Sequence, residues 1–516
     1  MPGRLYQHAK SVVSAPTYDL GTLHGGLRLQ AHKKVSTAEP IQQVPIPSQL
    51  VLPITQHAGD PAQPIVSIGE HVLKGQLIAE SDGSLSAPVH ASSSGKVVAI
   101  EPWPVARRYG DNAPCIVIEC DGKDHAIETA ESLPSYDILP ADVLLTKILQ
   151  GGIVGLGGAV FPTAQKLMQA ITCDLEFLIL NGVECEPYIS CDDVLMREYA
   201  HEVIGGTQIL LHALELEVAY IVVESDKPEA IRRLGEVLGE VGDARLVLKL
   251  VPTIYPSGGE DQLVQLVTNR EVPSGGLPTD VGCLVQNVGT AAAIHKWVSH
   301  NEPLISRVTT VTGDGVAQPM NVEARLGTTV ADIISFAGGY TDRATQLIIG
   351  GPMTGKSVSS DRVPLVKATN CILALSESPA VGAELPCIRC GDCAAVCPVQ
   401  LLPQQLFWYA CADNEAKMRL FGLTDCIECG CCDLVCPSHI PLTADFRMAK
   451  ARIRELADEK ARAERARVRF EARNERLELE QQTRDEQLAQ QKQAARKAGP
   501  EAIAEILRRK QEQDED

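Results

Sequence analysis

CIRCGDCAAVCP at 387–398 and CIECGCCDLVCP at 426–437 share one pattern, C-x-x-C-x-x-C-x-x-x-C-P. Cysteines at this spacing hold [4Fe–4S] clusters: three thiolates on one tight loop bind three irons, and with two runs the fourth ligand of each comes from the other. Cys387, Cys390 and Cys393 therefore go with Cys436, and Cys426, Cys429 and Cys432 with Cys397. Pro398 and Pro437 turn the chain away after each fourth ligand. Cys431 is a ninth cysteine, and taking it as a ligand breaks the spacing set by the first run. Disulfides need an oxidising compartment. Zinc could use two C-x-x-C pairs but does not call for eight cysteines with a proline after each fourth. Residues 378–445 thus read as a domain for two [4Fe–4S] clusters, which carry electrons one at a time.

The chain has 516 residues, enough for three or four domains each with its own core. A formal charge of -19 argues against nucleic acid as a partner. The opening MPGRLYQHAKSVVSAPTYDL lacks the apolar core of a signal peptide. No apolar run reaches eighteen residues, so a membrane-spanning helix is not expected. Seventeen cysteines without an export signal point to a reducing compartment, and a cytoplasmic location is expected.

Residues 1–45 read as an extended arm with a glycine turn in HGGLRLQAHK, and His24 and His32 as surface histidines. Residues 46–125 read as short strands broken by Gly, Pro, Asp and Ser, a small all-β unit. Residues 137–300 alternate helical and strand patterns, as in α/β organisation. Asp192 and Asp193 are expected to satisfy free N–H groups at a helix start. Residues 305–375 read as a small mixed domain. Residues 446–516, rich in Ala, Glu, Arg, Lys and Gln with charges of both signs interspersed, read as a solvated helix that frays past Gly499–Pro500.

GGIVGLGGAVFPTAQK at 151–166 is a second candidate site. Its glycines let backbone N–H groups approach an anion. A nucleotide-binding P-loop would end in Gly-Lys-Ser/Thr, and this loop does not. The dinucleotide pattern G-x-G-x-x-G begins at Gly155 and Gly157 and meets Val160 at its last position.

Read with the segments that follow, the loop resembles the NADH-oxidising flavoprotein subunit of respiratory complex I. The matching segments are Gly155, Gly157 and Gly158 running into Phe161, Pro162, Thr163 and Lys166; Asn181 with Glu184, Cys185, Glu186 and Pro187; Gly259 with Glu260; and Asn287, Val288, Gly289 and Thr290. The resemblance implies non-covalent FMN held by these residues, with NADH as substrate. Lys166 and the loop N–H groups would neutralise the phosphate, Asn181 and Asn287 would bond the ribityl chain or ring, and Glu184 and Glu186 would serve catalysis by orienting the nicotinamide. Val160 stands where that family has glycine, and Gly289 where it has glutamate.

GEHVLKGQLIA with PVHASSSGKVVAIE resembles a barrel-sandwich domain of the biotinyl/lipoyl type, but its expected tip, Ser81-Asp82-Gly83, carries no lysine. The 305–375 unit resembles a soluble-ligand-binding β-grasp domain, and the cysteine domain resembles a two-cluster ferredoxin. This order of parts is similar to the RnfC family, a component of the bacterial Rnf (Rsx) electron-transport complex. That resemblance implies a peripheral oxidoreductase subunit on the cytoplasmic face of the inner membrane. It would pass electrons between NADH and ferredoxin-like carriers, including a partner iron–sulfur subunit, while other subunits move ions. A flavin oxidoreductase working alone and a non-catalytic iron–sulfur relay are the other classes open to the sequence.

Overall fold

The computed structural model describes residues 20–513 apart from 22, 84, 107–111, 129–134, 377–381 and 498. Residues 1–19 of the expected arm, 378–381 of the cysteine domain and 514–516 of the tail lie outside the described residues. The chain divides into two compact units, one to Phe446 and one from Arg447.

Four parallel strands form the sheet at the centre of the first unit, in the order 246–251, 219–224, 177–182, 283–287. FLILNG and AYIVVE are buried along most of their length, as strands covered on both faces must be. Helices Thr163–Ala170, Cys191–Glu198, Ala200–Ala213, Pro228–Val241, Glu260–Thr268 and Val288–His300 belong to this α/β domain. Pro228 opens its helix and Gly242 closes it in the left-handed region, the expected placement for each.

The all-β unit is two small antiparallel sheets. One has the order 49–53, 112–120, 95–104, 71–72, and the other 63–64, 77–80, 89–90. Ser81, Asp82 and Gly83 follow the strand Leu77–Glu80 and are exposed, as expected of a tip. A six-stranded mixed sheet with the helix Val330–Phe336 makes the β-grasp part. Its edge strand is Gln42–Gln43, paired in parallel with Met320–Arg325. The end of the arm, at Gln42–Gln43, is therefore built into the sheet.

In the cysteine domain, short helices Asp392–Ala395 and Cys431–Leu434 each start after a left-handed glycine, Gly391 and Gly430. The second unit is helical, comprising the long helix that runs to Lys497 and a further helix, Gly499–Gln513. Its side chains are almost all exposed, and pairs such as Arg467–Glu471 at 2.9 Å decorate it. The expected fraying past Gly499–Pro500 is not seen. Proline is tolerated in a helix's first turn, and AIAEILRRKQ consists mostly of strong helix formers.

Candidate functional site

The eight motif cysteines line two separate cavities. Cys387, Cys390, Cys393 and Cys436 surround one, walled by Phe407, Ile440 and Leu442. Cys397, Cys426, Cys429 and Cys432 surround the other, walled by Leu401, Ile427 and Phe446. Each set is three cysteines of one run and the fourth of the other, the division expected from the spacing. All seventeen cysteines are free thiols. Cys431 also borders the second cavity and is fully buried. The hydrogen bond from Cys431 holds the Cys429 thiol down to about 7 against the effect of burial.

The two cavities differ in setting. Around the first, Ile388 is 68% exposed and Cys390 is exposed. The second abuts other parts of the first unit. Tyr255 Oη donates to the Cys429 carbonyl at 2.7 Å. Gly26 N–H donates to the Val396 carbonyl at 2.9 Å. A Cβ on Gly25 would lie 2.6 Å from the Val396 carbonyl, so only glycine allows this approach. The Met353 carbonyl lies 3.4 Å from where a Cβ on Gly430 would stand.

At the C-terminal end of the parallel sheet, the glycine loop and the three later segments converge. Asn181 and Asn287 end neighbouring strands in register. Asn181 Nδ2 donates to the Gly258 carbonyl at 2.9 Å. A Cβ on Gly157 would sit 3.6 Å from Asn287 Cβ. Leu156 N–H donates to Thr290 Oγ1 at 2.9 Å. Gly155 N–H donates to the Phe161 carbonyl at 2.9 Å, and Thr163 N–H to the Ile153 carbonyl at 3.1 Å, which closes the loop on itself. Lys166 Nζ reaches Glu260 Oε1 at 2.6 Å and the Val285 carbonyl at 2.8 Å. Gly259 precedes the helix Glu260–Thr268 as its cap residue.

The loop is open at Gly158. Gly158 has φ +110°, and a Cβ there would meet nothing within 4 Å. Val160 adopts φ +47°, so it keeps the left-handed backbone that a glycine would supply more easily. At Gly289 the Asp192 carboxylate comes within 3.7 Å of where a Cβ would be.

Both expected catalytic carboxylates are engaged within the protein. Glu184, with its side chain 4% exposed, accepts from Asp192 N–H at 2.7 Å and Asp193 N–H at 3.3 Å. Burial pushes its carboxyl up to about 7, and Lys33 from the arm, 3.9 Å away, works against that rise. Glu186 accepts from Met353 N–H and Thr354 N–H, each at 2.9 Å, and from Thr354 Oγ1 at 2.6 Å. Glu186 therefore ties the flavin-like segment to the β-grasp loop that touches Gly430.

The helix start at 191–193 corrects one expectation. Its free N–H groups are satisfied by Glu184, not by Asp192 or Asp193. Glu184 lies at φ +50°, and its side chain reaches back to the helix start. Asp192 and Asp193 stand at the second and third positions inside the helix, whose cap position is Ser190; Asp192 instead accepts from Asn287 Nδ2 at 2.7 Å and Asp193 pairs with Arg197. Sequence reasoning missed Lys33 and Tyr255. A lysine in an arm and a tyrosine before a turn carry no motif that marks them.

Three family models match the chain: the Nuo51 FMN-binding domain over residues 148–296, the RnfC barrel sandwich hybrid domain over 21–123 and the SLBB domain over 308–357. Among curated proteins, the chain is 50% identical over 460 residues to the RnfC component of the ion-translocating oxidoreductase complex of Pseudomonas aeruginosa, covering 89% of this chain and 59% of that one. It is 44% identical over 493 residues to the protein of the same name from Vibrio cholerae, covering 94% and 63%. The corresponding Haemophilus influenzae protein is 42% identical over 460 residues, covering 89% and 69%. The chain thus spans about three-fifths of the length of the first two. A solved NAD+-reducing [NiFe]-hydrogenase in the H2-reduced state is similar at 20% identity and a TM-score of 0.44, over 61% of this chain and 60% of that chain.

Proposed function

The chain belongs to the RnfC family of ion-translocating oxidoreductase complexes, and from that membership we propose that it passes electrons between NADH and ferredoxin-like carriers. The observation that carries the proposal is the convergence of Gly155–Gly158, Lys166, Asn181, Gly259–Glu260 and Asn287 at one sheet end, in the same unit as two four-cysteine cavities. The donor chemistry fits two [4Fe–4S] clusters, and the glycine-rich loop fits the phosphate of FMN. When bound, FMN would supply hydride chemistry toward NADH, and clusters held by the eight cysteines would supply one-electron transfer.

The chain's own residues bind and position. Lys166, paired with Glu260, and the loop N–H groups would hold the phosphate. Asn181 and Asn287 would bond the ribityl chain or ring. Phe161, Thr163 and Thr290 shape the loop through their hydrogen bonds. Glu184 and Glu186 act on the site by positioning: one holds the helix start at 191–193, the other the loop at 353–354. The Cys397–Cys432 site is the inner one, next to Tyr255, and the Cys387–Cys436 site faces outward.

No described helix is long and apolar enough to cross a membrane. From the family membership, the proposal places the chain peripherally, on the cytoplasmic side of the inner membrane, with an iron–sulfur subunit as partner and the ion path in other subunits. A second reading, a relay without nicotinamide chemistry, is favoured by the full engagement of Glu184 and Glu186. An anaerobic visible spectrum before and after NADH decides between them. Flavin and iron–sulfur absorption that both bleach support the proposal. Iron–sulfur absorption without flavin and without response to NADH supports the relay.

A further inference from the structure

Tyr255 has two ends in different places. Its backbone N–H donates to the Leu27 carbonyl at 2.9 Å, and its carbonyl accepts from Leu27 N–H at 2.7 Å. The residue is 4% exposed, and its hydroxyl donates to the carbonyl of Cys429 at 2.7 Å. Three residues on, the Gly258 carbonyl accepts from Asn181, and Glu260 holds Lys166. One short segment thus has its aromatic end on the inner cysteine site and its glycine end in the flavin-like crevice.

We propose that Tyr255 is a positioning residue that sets how readily the inner cluster is reduced and holds that site against the crevice. The inference rests on the reading of that cavity as a [4Fe–4S] site. A reduced cluster carries one more negative charge than an oxidised one. The positive end of the Tyr255 O–H dipole points at a ligand-bearing residue, and in a buried, weakly polarisable setting such a dipole favours the more negative state. Two hydrogen bonds to the arm residue Leu27 fix the tyrosine backbone, and burial of the residue restrains the ring that carries the hydroxyl. The outer site, with Cys390 exposed, serves as an internal control.

The test is a dithionite titration of the full chain, carrying its clusters, followed by electron paramagnetic resonance. Signals are assigned by their loss in C390S and C429S. Y255F keeps the ring and removes only the hydroxyl. The expected result is an inner cluster about fivefold harder to reduce, the scale of one net hydrogen bond. For a one-electron couple that is about 40 mV lower. The outer signal and iron content should stay as in the unaltered chain, and the thermal midpoint should fall by no more than about a few degrees. Y255L, which also removes the ring, should lower the inner potential at least as far. An unchanged inner potential in Y255F, with both signals present, overturns the role of Tyr255 and leaves the cluster reading intact. Absence of cluster signals from the unaltered chain after reconstitution with iron and sulfide overturns the reading itself, and the inference with it.

Discussion

The two four-cysteine sites are near copies in sequence and unlike in surroundings. Both runs have the same spacing, and both short helices begin after a left-handed glycine. Around Cys390 the loop faces outward, with Ile388 largely exposed. Around Cys429 the loop is gripped by Tyr255, by the loop at Met353 and, through Val396, by the arm at Gly26. Ligand spacing decides what a site can bind, whereas its neighbours decide what it exchanges electrons with and how easily.

The strongest way to break that comparison is to remove one ligand from each site. C390S and C429S should each lose about half of the iron, measured by iron and sulfide analysis. C390S should leave the inner resonance signal and NADH-driven flavin bleaching in place, while lowering turnover with an iron–sulfur acceptor by about 100-fold or more, if the outer cluster is the exit. C429S should stop electrons from reaching the outer cluster. Reduction of the outer cluster by NADH in C429S would remove the distinction between inner and outer.

Glu186→Ala sharpens it next. Three hydrogen bonds to residues 353–354 disappear, at a cost of about 2–3 kcal/mol for a half-buried carboxylate. Hydrogen exchange should rise at 353–354 and around Gly430, and stay unchanged at 387–393. Spread of the change to the outer loop would show that the two sites share their support.

A smaller effect concerns pH. The Glu184 carboxyl is raised to about 7 by burial, so between the unfolded value near 4.5 and 7 the folded chain holds a proton that the unfolded chain has released. Stability from this group therefore falls as pH rises through that window, by at most about 3 kcal/mol. Glu184→Gln cannot titrate, and its thermal midpoint should fall less between pH 5 and 7.5 than that of the unaltered chain. The inner and outer cluster signals should both be unaffected, since Glu184 supports the helix start and neither cysteine loop.

The smallest expected change is at Val160, a β-branched residue at φ +47°. Val160→Gly should relieve about 1–3 kcal/mol of backbone strain. Loss of side-chain packing and glycine's extra chain entropy offset most of that gain. A thermal midpoint within a few degrees of the unaltered chain, with flavin retained, is the expected outcome. Loss of flavin in this variant would mean that the valine side chain itself takes part in the site.

Much of the architecture was legible in the sequence because it follows from short-range patterns. Apolar strands with helices between them announce a parallel sheet, turn residues at short intervals announce small β-sheets, and alternating charges on strong helix formers announce a solvated helix. What was not legible lies in pairings across long separations. The hydrogen bond from Tyr255 to Cys429 spans 174 residues, and that from Met353 to Glu186 spans 167. No local pattern announces such a partner, since a tyrosine in a turn or a glutamate in a loop is equally at home in solvent.

By itself, the sequence determined which atoms can act: eight thiolates in two groups of four, and a glycine loop with its lysine and asparagines. The cysteine grouping depends on spacing along a dozen residues, whereas the roles of the lysine and asparagines are what the resemblance to the flavoprotein family implies. Only the tertiary structure decided which site is inner, that Glu184 and Glu186 spend their oxygens on backbone, and that Tyr255 touches a ligand loop. Those outcomes depend on how separately formed parts pack, and packing is settled by the burial of whole faces rather than by any one residue.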